Sequence, residues 1–203
     1  MKAGFFTVFK MDKKDEILEK ALDHFLKKGS KIITMNDIAH EFGLSKKTLY
    51  ALFENKEALL NEAVGLLWNN FLNEIETIRN NNENPLVKII QIYTIGIEKI
   101  STVNPIFLAS LKKYHRDVMS EYDKYKSFMF ENVVKPLLEE AKKQKLIRED
   151  IDIALFHYIN FEDIDEKLWK YKVFEKHTIK AALDYFIILK LKGIVTKDNF
   201  DLI

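Results

Sequence analysis

The stretch that most constrains this chain is TMNDIAHEFGLSKKTLYALFENKEALL, residues 34–60. Thr34 precedes a helical pattern and has Asp37 three residues on, a capping-box spacing that satisfies free backbone N–H groups at a helix start. Ile38 and Ala39 face inward, and Phe42 closes this first short helix. Gly43 then supplies the backbone freedom for a sharp turn. Ser45 stands where the next helix needs an N-cap, and Leu49, Leu52 and Phe53 follow at i, i+3 and i+4. Ala39 lies one turn before Gly43, so the second helix can cross closely over the first, with Leu44 filling the angle between them.

An ordinary αα-hairpin needs only one such small residue. Agreement at Ile38, Ala39, Phe42, Gly43, Leu44, Leu49 and Leu52 together describes a helix-turn-helix, whose second helix lies in the major groove of DNA. The same run resembles the DNA-binding domain of the TetR (tetracycline-repressor-like) regulators. The resemblance rests on Thr34, Ile38, Ala39, Gly43, Ser45, Leu49, Tyr50, Phe53, Lys56, Glu57 and Leu59, and covers about residues 13–65. There are two departures. Leu52 stands where many members carry Tyr or His, often against a phosphate, and Phe42 replaces a commoner small residue, which implies wider packing between the two helices. Met11 begins MDKKDEIL, where members of that family usually start, so residues 1–11 are expected to be an extension and either Met1 or Met11 the start.

On the residues alone, Lys46, Lys47 and Thr48 open the recognition helix, where side chains reach base edges, and Thr34, Ser45, Tyr50 and Lys56 are expected to join them at the DNA, Thr34, Tyr50 and Lys56 on phosphates. Lysine outnumbers arginine 29 to 3, and no arginine precedes Arg79. Guanine reading therefore falls to Lys46 or Lys47, which lack the guanidinium fork. The net charge of +1 is not that of a sequence-blind nucleic-acid binder; it allows a local basic surface.

The rest of the chain is expected to be helical. Ile17, Leu18, Ala21, Leu22, Phe25 and Leu26 form one stripe ending at Gly29, with His24 off the stripe and solvated. Asn55 starts a long helix reaching Ile75, Pro85 and Asn104-Pro105 open two more, and Pro136 should kink a helix over about 120–144. Helices over 151–169 and 176–191 complete the chain, and no strand pattern of useful length appears. The fold class is thus all-α: an N-terminal three-helix helix-turn-helix domain (residues 12–58) and a C-terminal helical effector-binding and dimerisation domain (residues 59–203).

Without cysteine there is no disulfide, thiol catalysis or thiolate metal site, which is compatible with a reducing cytoplasm, the expected location. No apolar run approaches the ~20 residues of a membrane span. The five histidines show no metal-binding spacing, and among six glycines there is no phosphate-binding loop or nucleophile elbow, so no cofactor, metal or enzyme activity is expected. Asp163, Asp165 and Glu166 read as a solvated helix face.

The C-terminal half is rich in aromatic residues, enough to wall an apolar cavity between helices. TetR-like regulators bind effectors in such a cavity, and the resemblance implies the same here. Trp68, Tyr93, Phe107 and Phe128 are the expected walls, with Tyr114 and His115 as polar handles. In the last helix Phe186, Ile179, Ala182, Leu183 and Ile187, with Tyr185 and Leu189, sweep an apolar arc of about 200°, more than the ~100° that packing on one domain needs. Together with the preceding helix, apolar on several sides through Phe156, Tyr158, Ile159, Phe161, Ile164 and Leu168, they are expected to form a two-fold interface between copies. The function expected from all this is a homodimeric DNA-binding regulator, a repressor by family default, acting on a pseudo-palindromic operator and released by a small apolar or amphipathic ligand. A helical carrier or protein-interaction module that keeps the helix-turn-helix only as structure is the alternative.

Overall fold

The computed structural model describes residues 13–203; the expected N-terminal extension lies outside the described residues. The chain is all-α, and among the described residues the only β-type pairing is an isolated bridge between Ile147 and Val195. Helices α1 (Lys13–Lys28), α2 (Met35–Glu41), α3 (Lys46–Leu52) and α4 (Lys56–Arg79) are followed by α5 (Pro85–Thr102) and α6 (Pro105–Tyr114). Next come α7 (Arg116–Met129), α8 (Lys135–Lys143), α9 (Ile153–Asn160), α10 (Ile164–Lys170), α11 (Val173–Lys176), α12 (Ile179–Leu183) and α13 (Leu189–Lys192).

Local chemistry accounts for most of these starts. Thr34, Ser45, Asn55, Asn84, Asn104, Asp152 and Thr178 each accept a backbone N–H from the first turn of the helix that they cap. Pro85 and Pro105 then occupy the first helical position, where a missing N–H costs nothing.

One apolar cluster joins α1 to α4 and continues into Phe107, Leu108 and Leu111 of α6 and Val118 of α7. The helix-turn-helix therefore shares its core with α6, and polar contacts lock the same seam. Asn104 donates its backbone N–H to Leu26 O and its side-chain amide to Lys27 O, satisfying carbonyls that the end of α1 leaves open. Ser30 donates its N–H to Ser110 Oγ at 3.1 Å, and the two buried hydroxyls lie 2.7 Å apart. At Gly29, with φ +80°, an added Cβ would stand 2.9 Å from Ile106 Cγ2, so only glycine allows α6 this close. A second cluster gathers α5, α8 and α10 to α13, and a third lies between them at Ile75, Ile92, Met129 and Val133.

Several expectations from the sequence need correction. Pro136 does not kink a regular helix. It follows a π turn, Phe130–Val134, in which Lys135 N–H reaches back to Phe130 O, and the proline falls in the first turn of α8. The helix expected over 151–169 is two, because the chain turns at Phe161 between α9 and α10. The last helix starts only after the Thr178 cap and contains a second π turn, Asp184–Ile188. His24 is not freely solvated: its Nε2 lies 2.7 Å from Glu41, tying α1 to α2. Asp165 is not on a solvated face but is buried, 5% exposed.

Candidate nucleic-acid interface and ligand cavity

The helix-turn-helix is built as a rigid corner. The Thr34 hydroxyl accepts Asp37 N–H and donates to Asp37 Oδ2, which also accepts Thr34 N–H, closing the capping box. The hydrogen bonds hold the Asp37 carboxyl below its ordinary range. Gly43 has φ +58°, and Leu44 N–H returns to Ala39 O at 2.8 Å, fixing the turn. Ser45 Oγ accepts Thr48 N–H and pairs with the Thr48 hydroxyl. Leu49 anchors α3 in the core, whereas Lys46, Lys47, Thr48 and Tyr50 are exposed. Phe42 is half-buried, with the Lys20 ammonium over its ring, and Leu52 is half-buried against the same core. Lys56, at the start of α4, is half-buried; burial lowers its pKa, partly offset by the Asp37 carboxylate.

The second site is a cavity of about 680 Å³ between α4, α5, α7, α9 and α10. Its apolar walls include Trp68, Phe71, Tyr93, Tyr122, Phe130 and Phe161. Trp68 stacks on Tyr125 (5.3 Å between ring centroids) and meets Phe71 edge-on (5.6 Å). His157 stacks on Phe130 at 3.7 Å, and burial drops its pKa to about 4, so the ring is neutral near pH 7. Trp68 Nε1 and His157 Nδ1 are buried with no hydrogen-bond partner among the described residues. On one wall the Tyr122 hydroxyl donates to Asp165 Oδ2 at 2.8 Å, and burial together with that carboxylate pushes the phenol well above its ordinary pKa. Lys126 approaches Asp165 Oδ1 at 3.5 Å.

Of the six side chains expected to form the ligand site, Trp68 and Tyr93 line this cavity. The other four do not. Phe107 is buried in the core shared with the helix-turn-helix. Tyr114 is exposed at the end of α6, flanked by Lys31 and Lys113. His115 lies 4.0 Å from Glu57, against the start of α4, and Phe128 points outward from α7. The missed lining residues are Phe71, Tyr122, Phe130, His157 and Phe161. Their aromatic character was visible in the sequence; which face of each helix met the others was not.

Comparison with known proteins agrees with the geometry. Residues 17–63 match the family model described as bacterial regulatory proteins, tetR family. The HTH-type transcriptional regulator YvaF of Bacillus subtilis (strain 168), itself uncharacterised, is 30% identical over 176 residues, covering 83% of this chain and 88% of that protein. The chain belongs to the TetR family. Solved structures share its fold at lower identity. The fatty acid degradation regulator FadR from Bacillus halodurans superposes with a TM-score of 0.75 at 20% identity, covering 91% of this chain and 97% of that one. PfmR, a TetR-family regulator from Thermus thermophilus, gives 0.67 at 21% identity, covering 92% and 99%.

TetR-family proteins are transcriptional regulators rather than enzymes, and they act as dimers. On this TetR-family chain part of the expected apolar face points outward and part turns inward. Ala182 (2% exposed) and Ile187 (0%) belong to the protomer's own core, and Phe156, Leu183 and Phe186 are half-buried against it. Ile179 remains exposed, and the large apolar side chains that face outward with it are Leu155, Tyr158, Ile159, Tyr185 and Leu189. The π turn at Asp184–Ile188 holds one extra residue and shifts the 100° phase beyond it, which brings Ile187 onto the inward side with Ala182. Among the described residues no helix is long and apolar enough to cross a membrane, and no group of three His, Cys, Asp or Glu side chains is placed to hold a metal.

Proposed function

We propose that this TetR-family regulator is a repressor that binds a pseudo-palindromic operator as a homodimer and releases it when a small apolar or amphipathic ligand enters the cavity. Residues 12–58 form the DNA-reading domain and residues 59–203 the effector and dimer domain. Lys46, Lys47 and Thr48 read bases, Ser45 caps the reading helix, and Tyr50 and Lys56 meet phosphates. Thr34, whose hydroxyl serves the capping box, contributes through its place at the α2 N-terminus.

One observation carries the DNA-reading assignment. The first turn of α3 holds two exposed lysines and no acid, the reverse of what a helix N-terminus favours. Each such lysine costs a few tenths of a kcal/mol or more in the free protein. The cost is recovered when a polyanion docks there. For the dimer, the support is the large apolar side chains left exposed on α9 and on the last helical stretch, Ile179 to Leu189, since exposed apolar surface of this kind marks a partner surface. For the ligand it is the aromatic-walled cavity, into which the long helix α4 brings Trp68 and Phe71 while Leu59 and Leu60 near its start belong to the core of the helix-turn-helix. A ligand shifts operator affinity only by its differential affinity for the two states of that linkage.

The test is a footprint of the purified protein on the DNA upstream of its own gene, repeated across salt concentrations. Two protected half-sites related by two-fold symmetry, about one or more helical turns apart, with affinity falling steeply with salt, are expected. A protein that keeps the helix-turn-helix only as scaffold gives no salt-dependent protection, and that result would overturn the proposal.

A further inference from the structure

The charge around the cavity is one-sided. Six carboxylates line it, Asp123, Glu131, Glu162, Asp163, Asp165 and Glu166, and among the described lining residues Lys126 is the single cation besides the neutral His157. Two of the six are offset from outside: Glu131 by Lys135 at 2.7 Å and Glu166 by Lys112. Of the remaining four, Asp123, Glu162 and Asp163 are exposed to solvent, and Asp165 is buried beside Lys126, which also approaches Asp123.

Asp165 is the informative one. It is buried on α10, and a buried carboxylate holds about four acceptor positions that have lost their water. Oδ2 receives the Tyr122 hydroxyl, whereas among the described residues Oδ1 has only Lys126 at 3.5 Å, too long for a strong charge-assisted bond. Lys126 is itself divided, with Asp123 at 4.0 Å and Glu162 O at 3.3 Å, and it sits 5.6 Å from the centroid of the Tyr122 ring. A cation held loosely between an aromatic face and a buried carboxylate is already the arrangement of this wall. Aromatic faces attract cations through the ring quadrupole, more strongly where water is excluded. An anionic ligand would have to bring its charge against the buried Asp165 carboxylate, with Lys126 already drawn between Asp165 and Asp123.

We propose that the ligand of this cavity is a lipophilic cation, an apolar or aromatic body carrying a quaternary or protonated centre, whose charge is received by Asp165 and the Tyr122 ring. The inference rests on the reading of the cavity as the effector site and specifies its chemistry. It separates this chain from any relative whose effector carries a carboxylate or phosphate head. Lys126 is the resident competitor for the same wall, so its removal strengthens cation binding.

The experiment uses the full chain and calorimetric titration with tetraphenylphosphonium, tetraphenylborate and the neutral dye Nile red. The first two share a shape and differ in the sign of charge. Tetraphenylphosphonium is expected to bind at least about tenfold more tightly than tetraphenylborate. Asp165→Asn keeps an acceptor for Tyr122 and removes the charge, and it is expected to weaken tetraphenylphosphonium about tenfold while Nile red changes little. Lys126→Met should tighten the cation, the opposite of what a purely structural lysine gives. Equal or tighter binding of tetraphenylborate by the wild-type chain, which involves no variant, overturns the inference. So does Nile red binding alone, which leaves the cavity standing as an apolar effector site. Binding of none of the three overturns the reading of the cavity itself.

Discussion

The reading corner and the cavity are built on opposite principles. Around α2 and α3 nearly every structural decision is taken within four residues: a threonine capped by the aspartate three ahead, a glycine at φ +58°, a serine capping the helix it precedes. Around the cavity the decisions are distant. Tyr122 meets Asp165 across 43 residues, Lys99 meets Glu74 across 25, and Phe130 stacks on His157 from another helix. Local rules give a surface that must present the same atoms to every operator. Long-range packing gives an interior whose contents vary with each aromatic side chain, and Trp68 and Tyr122 join that interior to the core beneath the corner that reads DNA.

That contrast is broken most severely by removing the dimer. Tyr185 (69% exposed) and Leu189 (53%) stand on the outward face, so the double variant Tyr185→Glu/Leu189→Glu leaves both the corner and the core intact. It is expected to sediment as a monomer and to lose more than about a hundredfold in operator affinity, because two linked half-sites bind with effective-concentration gains of that order or more. Dimeric sedimentation of this variant would place the interface elsewhere. Phe186→Glu would instead disturb the protomer, since Phe186 packs against its own core.

A smaller effect tests the corner alone. Lys47→Ala should cost about 1–3 kcal/mol per half-site on operator DNA and much less on random DNA, measured by competition binding. Equal losses on both would make Lys47 a phosphate contact instead of a base reader.

The seam between the two regions gives the third. Ser110→Ala leaves the buried Ser30 N–H and hydroxyl without their partner and should lower unfolding stability by about 1–3 kcal/mol in a denaturant titration. If corner and body were energetically independent, the change would be absorbed locally and the unfolding midpoint would stay put.

The same contrast explains what could be read in advance. The α1 boundaries, the Thr34, Ser45 and Asn55 caps and the two proline starts were legible because each depends on residues adjacent in sequence. Trp68 and Tyr93 were placed in the cavity, but Phe107 and Phe128 were not separable from Phe71 and Phe130 by composition, since burial depends on which helix packs opposite. Asp165 looked like its neighbours Asp163 and Glu166; only the approach of α7 removed its water. In the last helix Ile179, Tyr185 and Leu189 do face outward, whereas the inward turn of Ile187 follows from a π turn that the hydrophobic pattern does not announce.

The turn at Phe130–Val134 also has a genetic consequence. A π turn holds one residue more than the α-helical turn that could replace it, and the helices on either side already accommodate that surplus. Loss of a single codon within 130–134 would therefore let the turn contract to regular helix while α8 keeps Leu138 and Ala141 directed into the core. The same loss in the middle of α4 would rotate everything beyond it by about 100° and draw it in by about 1.5 Å. The cavity wall is thus a place where this gene can change length without changing frame in the structural sense, trading Phe130 or Glu131 for a different lining while the operator-reading end is left as it was.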